Sequence, residues 1–326
     1  TFGKVTESKI NTSKLQKLYG MLSGLYKNIY ASILREYVSN AVDSHREIKS
    51  EEPIVVKLNW DGQLKSGDIT IVDKGTGMSP EVMETIYFNY LDSTKENSND
   101  VHGAFGIGSK SALAYHHTFF INTIVDGIEY KYMFSKQANG IPAGELLSES
   151  NTIESNGTTI IIPVKTREDL RSFYDNAKKQ FLYFNNVYVE CDEFYYNNNY
   201  KVFENDLIFY NTSNSYIDEL HIALGNACYQ LNYSELGIDR INIPIAVKFD
   251  IGELMPTPSR EDIIYSKHSI EVINNKIKKV LTWIEDEYNK NIRLDLSIKE
   301  YESISKSYNY LSLSDEIMLS LSKEAS

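Results

Sequence analysis

Two hydrophobic periods alternate along the chain. From about Lys14 to Ile48, apolar residues recur at steps of three and four, which predicts helix, with a break near Gly20 or Gly24. On a 3.6-residue wheel Tyr30, Ile33, Leu34, Tyr37, Val38, Ala41 and Val42 form one apolar arc. The stretches PIVVKLNW (53–60), DITIVD (68–73) and FFINTIV (119–125) are β-branched and alternate, so they predict strands. SPEVMETIY predicts a helix start, with Ser79 as the N-cap and Pro80 at the first helical position. YKYMFSK (130–136) and GTTIIIPV (157–164) add strands. Together these elements predict an α+β fold: a mixed or largely antiparallel sheet with helices grouped on one face.

The pattern changes near residue 166. TREDLRSFYDNAKKQFLYF reads as a capped helix, with Thr166 followed by Asp169 three residues on. Strands are expected around 187–192, 200–204, 207–210, 219–223 and 243–249, and a helix from Ser269 to Asn289. YYNNNY (195–200) reads as a hairpin turn. The expected division is a first domain over 1–165, a second α+β domain over 166–294, and a polar helical tail over 295–326 that leads into a further region. The chain opens on Thr1 rather than Met, which sets the expectation of a trimmed N-terminus.

Composition narrows the function. With 326 residues, 42% of them hydrophobic, the chain can fill two cores. It has no run of eighteen apolar residues and no legible secretory pattern, so a cytoplasmic protein is expected. The two cysteines, Cys191 and Cys228, are too few for a disulfide framework and lack zinc spacing; two buried thiols are expected. A net charge of −12 disfavours nucleic acid as a partner. Lys4, Lys9, Lys14 and Lys17 read as a solvated face.

Four short stretches hold candidate chemistry. Glu36, Asn40, Asp43 and Glu47 fall within about 60° of each other beside the apolar arc. A solvated face would explain this row, although Asn is a poor residue for mid-helix. In IVDKGTGMSP (71–80) a strand ends at Asp73, and two glycines precede a helix. That is either a tight turn or a close approach to a ligand. HGAFGIGSKSALAY (102–115) places Gly103, Gly106 and Gly108 before an apolar helix, an arrangement suited to an anion. It lacks P-loop spacing and the acidic residue of a dinucleotide fold. SNGTTIII (155–162) begins a strand with Gly157 and Thr158.

Taken in order, E-x-x-x-N-A-x-D, D-x-G-x-G-M, G-x-x-G-x-G-S and G-T resemble the four boxes of the GHKL (Bergerat-fold) ATPases. That family holds gyrase, the Hsp-ninety chaperones, histidine kinases and MutL, and the likeness covers residues 1 to about 165. It implies ATP and Mg²⁺ as ligands. Glu36 would be the general base and Asn40 the Mg²⁺ ligand, with Asp43 supporting that site. Asp73 would accept from the adenine amine, Gly77 would sit by the base, and Met78 would pack on its ring. Gly103, Phe105, Gly106, Ile107 and Gly108, with Ser109 closing the box, would meet the phosphates. Thr158 would hold the adenine edge through a water. YLDSTKENSNDVHG (90–103), carrying Ser93, Thr94 and Lys95, corresponds to the family's mobile lid; an ordinary surface loop is the plain alternative.

GELMPTPSREDIIYSKHSIEVINNKIKK (252–279) is similar to the Hsp-ninety middle-domain segment, a transducer of ribosomal-S5-like type. This likeness implies that Arg260 reaches the γ-phosphate, with Lys248 and Lys165 as weaker candidates. A capping Ser259 with an exposed Arg260 is the competing reading. The stretch before residue 35 contains no His, which disfavours a histidine kinase. The Asn, Lys, Ile and Tyr bias is similar to that of phage rIIA-type lysis and exclusion proteins. The expected function is a slow ATPase acting as a nucleotide-gated dimeric clamp, in a host cytoplasm if phage-encoded, with an unidentified client. The rivals are an ATP-binding interaction module with negligible hydrolysis, a chaperone-like or MutL-like ATPase, and an interaction protein with a relic pocket.

Overall fold

A computed structural model describes residues 26–87, 111–138, 142–198, 202–211, 216–257 and 259–292. Helix α1 (Ile29–Ile48) is capped by Asn28, whose side chain accepts from the Ala31 N–H at 3.2 Å. It ends at Lys49 in a left-handed conformation (φ 54°). Its apolar arc is buried, with Ile33, Leu34 and Val38 at 0% exposure. The expected break near Gly20 or Gly24 lies outside the described residues.

Strands β1 (Ile54–Asp61) and β2 (Ser66–Asp73) form a hairpin. Ser79 caps the short α2 (Pro80–Val82), as expected, and a π-helical turn (Met83–Tyr87) follows. After α3 (Ala112–Tyr115) come β3 (Thr118–Val125), β4 (Ile128–Lys136), β5 (Pro142–Asn151) and β6 (Gly157–Val164). Next are α4 (Arg167–Gln180) and β7 (Val187–Cys191). The seven strands form one mixed sheet in the order β5-β4-β3-β6-β2-β1-β7. Only the β1–β7 pair is parallel within it. α1 and α4 pack against each other and against β1 and β2, so the helices share one face.

The sequence reading begins the second domain at residue 166, yet α4 and β7 belong to the first core. Leu170, Phe173 and Ala177 of α4 are fully buried in it, and Val187 and Val189 extend it along β1. Local helix and strand patterns carry no signal of which sheet an element joins. Thr166 caps α4 by accepting from the Asp169 N–H at 3.0 Å. The Asp169 carboxylate does not return the bond; it accepts from Tyr30 (2.5 Å) and Tyr115 (2.9 Å) instead. β5 is a strand the sequence reading lacked. It is an exposed edge with little apolar alternation.

The second sheet contains β8 (Val202–Glu204), β9 (Ile208–Asn211), β10 (His221–Leu224), β11 (Ala227–Gln230) and β12 (Ala246–Phe249). Its order is β11-β10-β12-β9-β8. After the short α5 (Tyr233–Leu236), the long α6 (Lys267–Ile292) packs Ile273, Ile277, Val280 and Ile284 onto its core. A bridging cluster joins the two units. It holds Leu182 and Tyr183, just past the end of α4, with Phe209, Ala223, Cys228 and Ala246 of the second sheet. Tyr183 also shares a 2.8 Å hydrogen bond with His221 Nε2. Cys228 is buried and free; Cys191 is free but only half-buried. Among the described residues no helix is long and apolar enough to cross a membrane.

Candidate functional site

The apolar rows of the first sheet end in one polar rung. Ile69 and Ile71 share a face with Asp73, Phe119 and Ile121 share one with Thr123, and Ile160 and Ile162 share one with Thr158. The register sets Asp73 opposite Thr158, and Thr158 opposite Thr123. All three side chains are buried. Asp73 Oδ1 accepts from the Gly75 N–H at 2.9 Å. Burial pushes the Asp73 carboxyl up to about 6, against the opposing pull of the Gly75 and Thr158 amides. Thr123 Oγ1 accepts from the Met78 N–H at 2.7 Å and so fixes the strand-to-helix loop over the rung.

That loop is also tied to α1. Ser44 Oγ accepts from the Thr76 N–H at 2.9 Å, and His45 Nε2 accepts from the Lys74 N–H at 2.9 Å. An accepting Nε2 requires a neutral ring. Burial lowers the His45 pKa and favours that state, with the Glu52 backbone pulling the other way. Backbone approach is close throughout the loop. A Cβ on Gly77 (φ +70°) would lie 2.0 Å from the Ile124 carbonyl oxygen, and one on Gly157 (φ +156°) 2.2 Å from the Asp73 carbonyl oxygen. Met78 is partly buried and packs against the first core.

Two turns nearer the start of α1, Glu36 is buried at 5% exposure. Arg260 Nη1, from the second unit, donates to Glu36 Oε2 at 3.0 Å. Burial raises the Glu36 pKa; Arg260 and then Arg35 oppose the rise. Arg35 itself is held elsewhere. Its Nε donates to Gln180 Oε1 at 2.9 Å, and its guanidinium lies over the Tyr229 ring. Tyr26 sits in the same cluster, its hydroxyl pKa raised by burial and by Glu36. Asn40 lies one turn from both Glu36 and Ser44 and is exposed. Asp43 is half-buried and pairs with Arg46 at 3.6 Å. Arg35, Asp43, Arg46 and Arg260 help line a cavity of about 30 Å³ between the two units.

The structure therefore brings Asp73, Thr158, Gly77 and Met78 together beside the C-terminal turns of α1, and Glu36 and Arg260 together near the middle of the helix. From Glu36 to Ser44 the helix rises about 12 Å, with Asn40 between them. Lys248 is turned away and pairs with Glu204 at 2.5 Å, while Lys165 lies over the Tyr115 ring. Ser93, Thr94, Lys95, Gly103, Phe105, Gly106, Ile107, Gly108 and Ser109 lie outside the described residues. Sequence reasoning missed Ser44, His45, Thr123 and Tyr26. Thr123 was findable, because alternation puts it on the same face as Phe119 and Ile121, where an apolar residue is expected. Among the described residues no group of three or more His, Cys, Asp or Glu gathers as a metal site. The exposed Asn40 has an amide oxygen of the kind that Mg²⁺ takes as a ligand.

Residues 28–169 match the family described as "Histidine kinase-, DNA gyrase B-, and HSP90-like ATPase". No curated protein matches the chain. The matched span holds α1, the polar rung and the loop between them, so the likeness to this ATPase family falls on that segment of the chain.

Proposed function

We propose that the protein is a slow ATPase in which the second unit supplies a residue to the nucleotide site of the first. The observation that carries this reading is the shielded Glu36–Arg260 pair, which joins the two units near the middle of α1. Asp73 accepts from the adenine amine, and Thr158 holds the base edge through a water. Gly77 leaves room for the base and Met78 packs on its ring. Asn40 holds Mg²⁺ through its amide oxygen, with Asp43 in support, and the ion when bound neutralises phosphate charge. Gly103, Phe105, Gly106, Ile107 and Gly108 offer amides to the phosphates, and the 90–103 segment closes over them.

Glu36 is suited to general-base work because burial raises its pKa, which makes the carboxylate a stronger proton acceptor. While paired with Arg260 it is a poor base. The terminal phosphate competes for the guanidinium, and its arrival releases the carboxylate to take a proton from the attacking water. Arg260 then faces the charge that develops on the transferred phosphoryl group. Nucleotide-dependent dimerisation and a phage rIIA-type setting belong to the same proposal; they rest on the family likeness and the compositional bias.

The test is Glu36→Ala, with ATP binding measured by calorimetry and turnover by phosphate release. Retained binding with lost turnover supports the assignment; unchanged turnover refutes it. A second reading takes ATP as a conformational ligand only, and the engagement of Glu36 by Arg260 favours it. Wild-type phosphate release at the background rate, with ATP still raising the melting temperature, would select that reading.

A further inference from the structure

Arg260 reaches Glu36 from a constrained loop. Its backbone is left-handed (φ 53°), a conformation disfavoured for a residue with a Cβ. The Arg260 N–H donates to the Thr257 carbonyl at 2.8 Å, and the Thr257 N–H donates to the Asp262 carbonyl at 2.8 Å. The loop holds this shape while the next residue, Glu261, turns to the first unit. Glu261 Oε2 accepts from the Lys27 N–H at 2.7 Å. Oε1 accepts from the Asn28 N–H at 2.5 Å and from Ser32 Oγ at 3.1 Å.

These donors stand at the N-terminal end of α1, where amides lack helical partners and the helix dipole is positive. The helix carries no acidic residue in its own first turn. The anion at its start comes from the second unit instead. Two adjacent residues of one loop thus grip one helix at two points: Glu261 at the start, and Arg260 two turns on, at Glu36. Tyr26 lies within electrostatic reach of Glu36, Arg260 and Glu261.

We propose that Glu261 is a positioning residue for ATP hydrolysis. By holding the start of α1, it sets where the Arg260 guanidinium stands relative to Glu36 and the terminal phosphate. This rests on the ATPase reading above. A carboxylate can accept from both amides with separate oxygens. A glutamine has one acceptor oxygen, and its NH₂ opposes the second amide N–H. Glu261→Gln therefore loosens the grip with little change in size, and Glu261→Asp keeps the charge with a shorter reach.

The experiment uses the full chain and measures kcat by single-turnover hydrolysis and ATP affinity by calorimetry. Glu261→Gln is expected to lower kcat about 10- to 100-fold, the scale of a misplacement near 1 Å, with the ATP Kd within about twofold of wild type. Glu261→Asp is expected to fall between the two. In an Arg260→Ala background, Glu261→Gln should cause no further loss of kcat, because the residue acts through the arginine. A wild-type kcat in Glu261→Gln, or an equal further loss in the Arg260→Ala background, would overturn the proposal and leave Glu261 as an interface contact. Should Glu261→Gln fold poorly, the Glu261→Asp comparison carries the same test in both backgrounds. A wild-type chain that neither binds nor hydrolyses ATP would overturn the ATPase reading itself, a result distinct from either of these.

Discussion

Asp73→Asn separates the electrostatic cost of the polar rung from the binding role proposed for it. In the free protein the Asp73 carboxyl is pushed up to about 6 from an ordinary value of 3.8, chiefly by burial. At 1.36 kcal/mol per pH unit, the full difference is about 3 kcal/mol. The sign follows from linkage. The folded state holds the proton more tightly than the unfolded state, so this contribution to stability is complete below pH 3.8 and is lost as pH rises through about 6. Between pH 4.5 and pH 8, wild type should lose about 2 kcal/mol from this group alone. The asparagine variant does not titrate there. Its amide NH₂ leaves one of the Gly75 and Thr158 amides without an acceptor, a pH-independent cost of about 1–3 kcal/mol. Urea unfolding across this range, at unchanged m-value, reads the difference. The variant should gain on wild type by about 2 kcal/mol as pH rises, while losing ATP affinity in calorimetry. Parallel stability curves for the two proteins would refute the claim that burial, rather than pairing, governs Asp73.

Two further outcomes follow from the same loop. Gly77→Ala places a Cβ 2.0 Å from the Ile124 carbonyl oxygen at φ +70°, so it should cost about 1–3 kcal/mol in thermal unfolding and weaken ATP binding in calorimetry. Thr123→Val keeps the shape but leaves the Met78 N–H unpaired; it should cost about 1–3 kcal/mol by denaturant titration, with a larger loss of ATP affinity than of kcat.

The elements of the first sheet and its helices were legible because each depends on nearby residues. The period of α1, the Ser79 cap and the alternation of β2 and β6 are local signals, and the spacing of Glu36 and Asn40 follows from the helix itself. What escaped was long-range. The parallel pairing of β1 with β7 places 187–191 in the first sheet, and nothing within those residues marks it. Ser44 and His45 look like ordinary helix-end residues until the loop at 74–76 is brought beside them. Glu261 looks like any exposed carboxylate, because the amides it accepts from are more than two hundred residues away in sequence.

Phe181 and Phe184 fill the first core, while Leu182 and Tyr183, between them, fill the cluster shared with the second sheet. Four consecutive side chains are thus divided between two interiors. Moving one unit past the other must slide tightly interlocked surfaces, not flex a soft joint. The stroke that the proposed mechanism asks of Arg260 is accordingly short: an ångström-scale transfer of its guanidinium between a carboxylate and a phosphate.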